Sequence, residues 1–334
     1  MKAIKAIFAA ALTLALVVSM AACTSRNQDN MQSSSVAHSS SAASVAPSTP
    51  STPSTPSTPN SAASHGLASD LGDVASDIRS GVASMVTPTM STDFDKIGAL
   101  GGSQIKWGPG VQVDEANRTI APIGLQEQYG EYSAWFIAPD DCGKFYLTFD
   151  EGYENGYTEE ILDVLKEKNC SAVFFVTLPY VQSCPELVQR MIDEGHVVGN
   201  HTSHHWNPTS KSIDDAAEDI RELHNYVLEN FGYEMTLYRP PEGAFSEQTL
   251  AMAQSLGYTT CLWSFAYKDY DPNDQRGHDA ALAYTEKFIH EGAIYLLHAV
   301  SSDNASILGE LIDAVRAKGL EVSKWDLPYC PPKS

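Results

Sequence analysis

The chain has 334 residues, 43% of them hydrophobic, enough to bury one large core or two medium ones. Against 42 acidic residues stand only 21 basic ones, a formal net charge of −21, so the basic footprint of a nucleic-acid binder is absent. A neutral ligand is compatible with such a surface; a polyanion gathered by long-range attraction is not.

At the N-terminus, Lys2 and Lys5 precede an apolar run over 7–18 that is too short to span a membrane comfortably. The run ends in Met20-Ala21-Ala22-Cys23, small residues before a cysteine, which resembles a bacterial lipoprotein cleavage box. The expectation is a signal peptide over 1–22 and a lipidated Cys23 that holds the protein at the membrane outside the cytoplasm. Ordinary secretion, with Cys23 a bystander, is the alternative. Residues 23–90 read as a Ser/Thr/Pro-rich linker, including the Ser-Thr-Pro repeat at 48–59. Such composition buries too little apolar surface to offset its ordering entropy, so disorder is expected. Within it, Leu67, Leu71, Val74, Ile78 and Val82 recur at helical spacing and mark a candidate short helix. Beyond Cys23 five cysteines remain, an odd number with no close CxxC pair, which argues against a structural zinc cluster. A Cys142–Cys330 bridge is conceivable; Cys170 and Cys261 read as buried thiols.

From Lys144 onward strand-like and helix-like segments alternate. Strands are expected at 145–149, 172–176, 197–199, 237–238, 259–262 and 293–297. Helices are expected around 161–165, from Pro185 through 192, over 213–231 with Gly232 just past the end, over 245–256, 280–289 and 307–317. This α/β alternation implies a parallel sheet, open or closed into a barrel.

Polar residues track the strand ends, where chemistry sits in a β/α barrel. Asp150 and Glu151 follow the first strand, His201, His204 and His205 the third, and Arg239 the fourth. Asp269 lies a little beyond the fifth, and His298 ends the sixth. Two imidazoles four residues apart, His201 and His205, able to converge from a helix or an extended loop, with a carboxylate near the same rim, make a His₂–carboxylate metal site that leaves positions open for water. His204 is the surplus imidazole. His298 is placed to act as a general acid, and Arg239, stiffened by Pro240 and Pro241, to orient a buried carboxylate.

Five segments in order carry a resemblance to the polysaccharide deacetylase family of carbohydrate esterases: Thr148-Phe149-Asp150-Glu151-Gly152, His201-Thr202-Ser203-His204-His205, Arg239-Pro240-Pro241-Glu242-Gly243, Asp269-Tyr270, and Leu296-Leu297-His298. The extended first motif at 148–157 and the run 295–301 are more similar still to the delta-lactam-biosynthetic de-N-acetylases, which act on N-acetylmuramic acid in peptidoglycan. The resemblance implies a distorted (β/α) barrel over 144–330, with 91–143 as an N-terminal extension packed on it. It implies a divalent metal, zinc before cobalt or manganese, on Glu151, His201 and His205. It implies Asp150 as general base, His298 as general acid, Arg239 orienting Asp150, Asp269 holding His298, and a backbone N–H near Glu242 facing the oxyanion. The glycan strand would be the substrate and the protein a monomer. Chitin oligomers, N-acetylglucosamine or acetylxylan are alternative substrates, and a non-catalytic wall-binding lipoprotein is the alternative of another class. Four positions depart from the general pattern: Glu151 stands where Asp is usual and the delta-lactam members carry Asn, Ala266 replaces an acid, Tyr270 a Trp, and Trp206 a Pro.

Overall fold

The computed structural model describes residue 94 and residues 96–332, all within one of the chain's two units, 72–334. The signal peptide, the lipidated cysteine, the linker and the candidate helix around 67–82 lie outside the described residues. No described helix is long and apolar enough to cross a membrane.

In chain order the regular elements are α1 (Ile120–Tyr129), β1 (Ala134–Trp135), β2 (Lys144–Glu151), α2 (Thr158–Glu167), β3 (Val173–Val176), α3 (Leu178–Ser183), α4 (Pro185–Asp193), β4 (Val197–Asn200), α5 (Ile213–Phe231), β5 (Leu237–Tyr238), α6 (Glu247–Ser255), β6 (Thr259–Cys261), α7 (His278–Lys287), β7 (Ala293–His298), α8 (Ser302–Ala317) and β8 (Glu321–Val322). All strand pairings are parallel, in the order β1-β6-β5-β4-β3-β2-β7, with β8 beside the start of β2. Beyond β6 the chain bridges to β7 through Phe265 and Tyr295, and the Ser264 N–H donates to the Ile294 carbonyl at 2.9 Å. The sheet therefore curls onto itself as a distorted barrel with helices outside.

Side-chain alternation along β2 divides the molecule into two apolar layers. Phe145, Leu147 and Phe149 pack outward with Ile161, Leu162 and Leu165 of α2 and Leu308 and Leu311 of α8. Tyr146 points inward with Val173, Phe175, Leu237, Cys261 and Ile294 to fill the barrel. The helices have identifiable starts and stops. Ser212 caps α5 by accepting the Asp215 N–H, with Asp214 and Asp215 in the first turn, and Gly232 ends it at φ 63°. Ser246 and Thr249 form a reciprocal capping box on α6, so that helix begins two residues later than the apolar pattern suggests.

The segment before β2 lies against the barrel. Trp107 donates through Nε1 to the Gly243 carbonyl at 2.8 Å and sits in an aromatic cluster with Phe136, Phe245 and Trp263. Thr119 donates to the Ser264 carbonyl and Arg118 to that of Ala138, both at 2.8 Å. Cys142 and Cys330 are both free thiols, so the conceivable bridge is not made. Cys261 is fully buried as expected, while Cys170 is only half-buried.

Candidate active site

Asp150 occupies an inward position near the end of β2, pairing in register with Phe175 on one side and His298 on the other. Its partner is Arg239, which follows β5 and is completely buried. The guanidinium donates through Nη1 to Asp150 Oδ1 at 2.7 Å and through Nη2 to Thr148 Oγ1 at 2.7 Å. Nε donates to the Cys261 carbonyl at 3.0 Å, Nη2 also reaches the Leu262 carbonyl, and the group lies 4.1 Å from the centroid of Phe175. A planar fork with five donors suits a site with this many acceptors. Burial disfavours the Asp150 charge, but Arg239, His201 and His298 outweigh it and hold the carboxyl below its ordinary range.

The two candidate ligand histidines sit in a tight turn after β4, not on a helix. Thr202 and His205 both have positive φ, 70° and 54°. Such backbone costs of order 1–3 kcal/mol per residue and needs external restraint. Asn200 Oδ1 accepts the Thr202 N–H, Thr202 Oγ1 accepts the His205 N–H, and Asp219 of α5 accepts the N–H groups of Ser203 and His204. The His201 and His205 rings meet edge to face, centroids 4.9 Å apart. His201 Nδ1 contacts the Arg239 carbonyl at 2.8 Å; donating there leaves Nε2 with a lone pair, 3.5 Å from Asp150 Oδ2. Burial lowers the His201 pKa to about 4, against the pull of Asp150, so the imidazole is neutral at physiological pH, as a metal ligand must be.

His204 turns away from this pair. Its Nδ1 lies 2.7 Å from Asp219 Oδ1, and its ring stacks on the exposed Trp206, over which Lys211 Nζ sits at 3.8 Å. Among the described residues, the trio whose ligand atoms all lie within 4.8 Å of one another is His204, Asp219 and Glu222; Glu151, His201 and His205 are not drawn into such a trio. The reason lies in strand parity. Glu151 pairs with Val176, whose side chain belongs to the outer layer, and so leaves β2 on the opposite face from Asp150. There its carboxylate is fully buried, with neither oxygen hydrogen-bonded. Burial first, then the charges of Glu154 and Asp150, push its pKa well above the ordinary value. The donor chemistry fits a divalent cation: two imidazoles with the Asp150 carboxylate 3.5 Å from His201 Nε2, and, on the far face of β2, the orphaned carboxylate of Glu151.

Across the rim, His298 Nδ1 lies 2.8 Å from Asp269 Oδ1, and the His298 N–H donates to Oδ2 at 2.9 Å. Asp269 is buried, whereas the His298 side chain keeps 23% exposure, so the imidazole is reachable from outside. Burial opposes the imidazolium, but the hydrogen bond to Asp269 and the charges of Asp269 and Asp150 raise the His298 pKa above its usual value. Tyr270 packs edge-on against this ring and is exposed, as are Tyr153 and Trp206, which stand just after Glu151 and His205 in the chain. The structure thus gathers Asp150, Arg239, His201 and His205 on one side and Asp269 with His298 on the other, and sets Glu151 apart. Sequence patterning did not reveal Thr148 as a guanidinium acceptor, nor Asn304, which donates to Asp269 at 2.6 Å; each sits among apolar or helical residues that announce no chemistry.

Residues 138–261 match the family model described as polysaccharide deacetylase. The peptidoglycan-N-acetylmuramic acid deacetylase PdaA of Bacillus subtilis is 43% identical over 197 residues, 59% of this chain and 75% of that protein. A peptidoglycan-N-acetylglucosamine deacetylase of Bacillus cereus is 31% identical over 54% of this chain and 83% of its own length. The solved structure of Bacillus subtilis PdaA, described as a family 4 carbohydrate esterase, superposes with a TM-score of 0.63 at 38% identity, covering 67% of this chain and 95% of that one.

Proposed function

Because the chain belongs to the polysaccharide deacetylase family, we propose that it is a hydrolase removing N-acetyl groups from peptidoglycan amino sugars, N-acetylmuramic acid first among them. The observation that carries the reading is the pair within one rim: a carboxylate held ionised by Arg239, and an imidazole whose protonated form is favoured by Asp269. Hydrolysis of an amide needs both a base for water and an acid for the departing nitrogen. A module that only binds glycan needs neither, which disfavours the non-catalytic alternative.

In the proposed reaction Asp150 accepts a proton from the attacking water as oxygen bonds to the acetyl carbon. Arg239 keeps Asp150 aimed and unprotonated. His298 gives its Nε2 proton to the sugar nitrogen as the C–N bond breaks, yielding acetate and a free amino sugar. The oxyanion is assigned to a backbone N–H at Glu242, in a turn that this residue forms at φ 60°. His201 and His205 would hold a divalent cation, zinc before cobalt or manganese; Glu151, whose two oxygens are unclaimed in its outer pocket, is the proposed third ligand and would have to turn toward them to serve. When bound, such a cation supplies Lewis-acid polarisation of the carbonyl and lowers the pKa of water.

Muramic acid is preferred over N-acetylglucosamine on the identity to PdaA, against 31% to the glucosamine enzyme. The N-terminal sequence supports a lipoprotein tethered through Cys23 outside the cytoplasm, within reach of the wall. Loss of membrane association and of acyl labelling in Cys23→Ser tests the anchor. Acetate release from purified glycan, abolished by chelation and restored by added zinc, tests the activity; a metal-free protein inert on every glycan would leave the binding module as the better account.

A further inference from the structure

We propose that Asn304, outside every motif described above, is a positioning residue that locks the His298–Asp269 pair into its proton-donating form; the proposal rests on the deacetylase reading given above. Asn304 is the third residue of α8 and is completely buried. One amide hydrogen goes to Asp269 Oδ2 at 2.6 Å and the other to the His298 carbonyl at 3.0 Å. Its Oδ1 accepts the Tyr267 hydroxyl at 2.5 Å. Both donors are therefore used, and the oxygen is engaged as well. Flipping the amide would turn its oxygen onto a carboxylate and a carbonyl, so the orientation is fixed by its neighbours.

The consequence falls on the acid. Asp269 Oδ2 receives two N–H donors, from His298 and Asn304, which only an acceptor oxygen can satisfy. Oδ1 is then left for the Nδ1–H of His298. That hydrogen bond sets the tautomer and leaves Nε2 as the nitrogen that offers a proton to substrate. Asn304 also holds the His298 main chain, so it grips both members of the pair. The loop carrying Asp269 is tied to the same helix start: Gln275 Nε2 donates to the Asp269 and Asp271 carbonyls at 3.0 and 2.7 Å, and Ser301 Oγ donates to Gln275 Oε1 at 2.5 Å. The start of α8 therefore fixes the distance between two motifs that lie on different strands' ends.

The decisive comparison uses two substrates of different leaving group. Departure of a sugar amine needs a proton, whereas departure of 4-nitrophenolate from 4-nitrophenyl acetate does not. Asn304→Asp keeps the shape but replaces the donor with an acceptor facing Asp269. Losing a hydrogen bond to a charged group predicts a fall in kcat on glycan of about tenfold to a hundredfold. KM and metal content should stay as in the wild type, and aryl ester hydrolysis should stay within about twofold. Tyr267→Phe, which frees only the far side of the amide, should lower glycan kcat about threefold with the ester rate unchanged, and it decides the question if Asn304→Asp does not fold. An unchanged glycan kcat in the variant that folds overturns the proposal, as does a parallel loss of both activities. Wild-type protein inert on glycan would instead refute the deacetylase reading itself.

Discussion

Replacing Arg239 with methionine removes the cation from a pair whose other member has 8% of its surface exposed. Methionine preserves much of the side-chain length and its contact with Phe175, so the change is mainly electrostatic. Truncating one partner of a buried pair typically costs about 3–5 kcal/mol, because the remaining charge is stranded. The Cys261 and Leu262 carbonyls lose a donor as well, but these losses share one cause and are not summed separately. A domain holding about 5–15 kcal/mol remains folded. At about 2–4 °C per kcal/mol for a domain of this size, the thermal midpoint should fall by roughly 10 °C. Burial, no longer opposed by the guanidinium, should drive the Asp150 pKa upward and weaken it as a proton acceptor. A general base contributes about 10²–10⁴ in rate, so kcat for acetate release at pH 7 should fall at least a hundredfold. Thermal denaturation and acetate release read the two effects. The double variant Asp150→Asn, Arg239→Met should be more stable than Arg239→Met alone, since no stranded carboxylate remains. A midpoint within about 2 °C of wild type, or strict additivity of the two substitutions, would refute the assignment of Arg239 as the counter-charge.

Asp150→Asn should keep the bound metal and lose nearly all turnover, checked by metal analysis beside a glycan assay. The rate should fall on the acid side as Asp150 takes up a proton, below the usual carboxylate range, and on the alkaline side as His298 loses one, above the usual imidazole range. A pH profile of kcat/KM reads both limbs, and Arg239→Lys should move the acid limb upward. His201→Ala should strip the metal; Glu151→Ala should do so only if the glutamate turns from its outer pocket to join the imidazoles, and full occupancy in Glu151→Ala would transfer the carboxylate role to Asp150. Gly199→Ala would place a methyl 2.5 Å from the Phe175 ring, beneath Arg239, and should lower stability by about 1–3 kcal/mol with a matching loss of rate.

Much of this site is readable from strand ends, because a parallel β/α unit delivers the residue after each strand to one rim whatever lies between. Asp150, Arg239 and His298 are found that way. Glu151 shows where that logic stops. Adjacency to Asp150 suggested a shared site, yet alternation along an extended strand sends consecutive side chains to opposite faces, and the ladder to β3 continues through Glu151. The spacing of His201 and His205 suggested either a helix or a loop; two positive-φ residues make it a turn braced by Asn200 and Asp219, and neither brace is suggested by apolar periodicity. α1 and α3 went unseen for related reasons. α1 contains Pro122 and Gly124 and has no clear apolar face, while α3 is only six residues long, capped by Thr177 with Pro179 in its first turn. Asn304 was hidden because its partners, Tyr267, Asp269 and His298, become neighbours only when the β6–α7 loop is laid against the start of α8.

The most direct test of the account is acetate release by the full chain from two peptidoglycan preparations, one retaining its peptide stems and one stripped of them by an amidase. Release from stripped glycan alone, lost on chelation and regained with zinc, is the result predicted for a muramic acid N-deacetylase. Equal release from intact glycan or from chitin oligomers would contradict the muramic acid assignment, and no release from any of them would contradict catalysis.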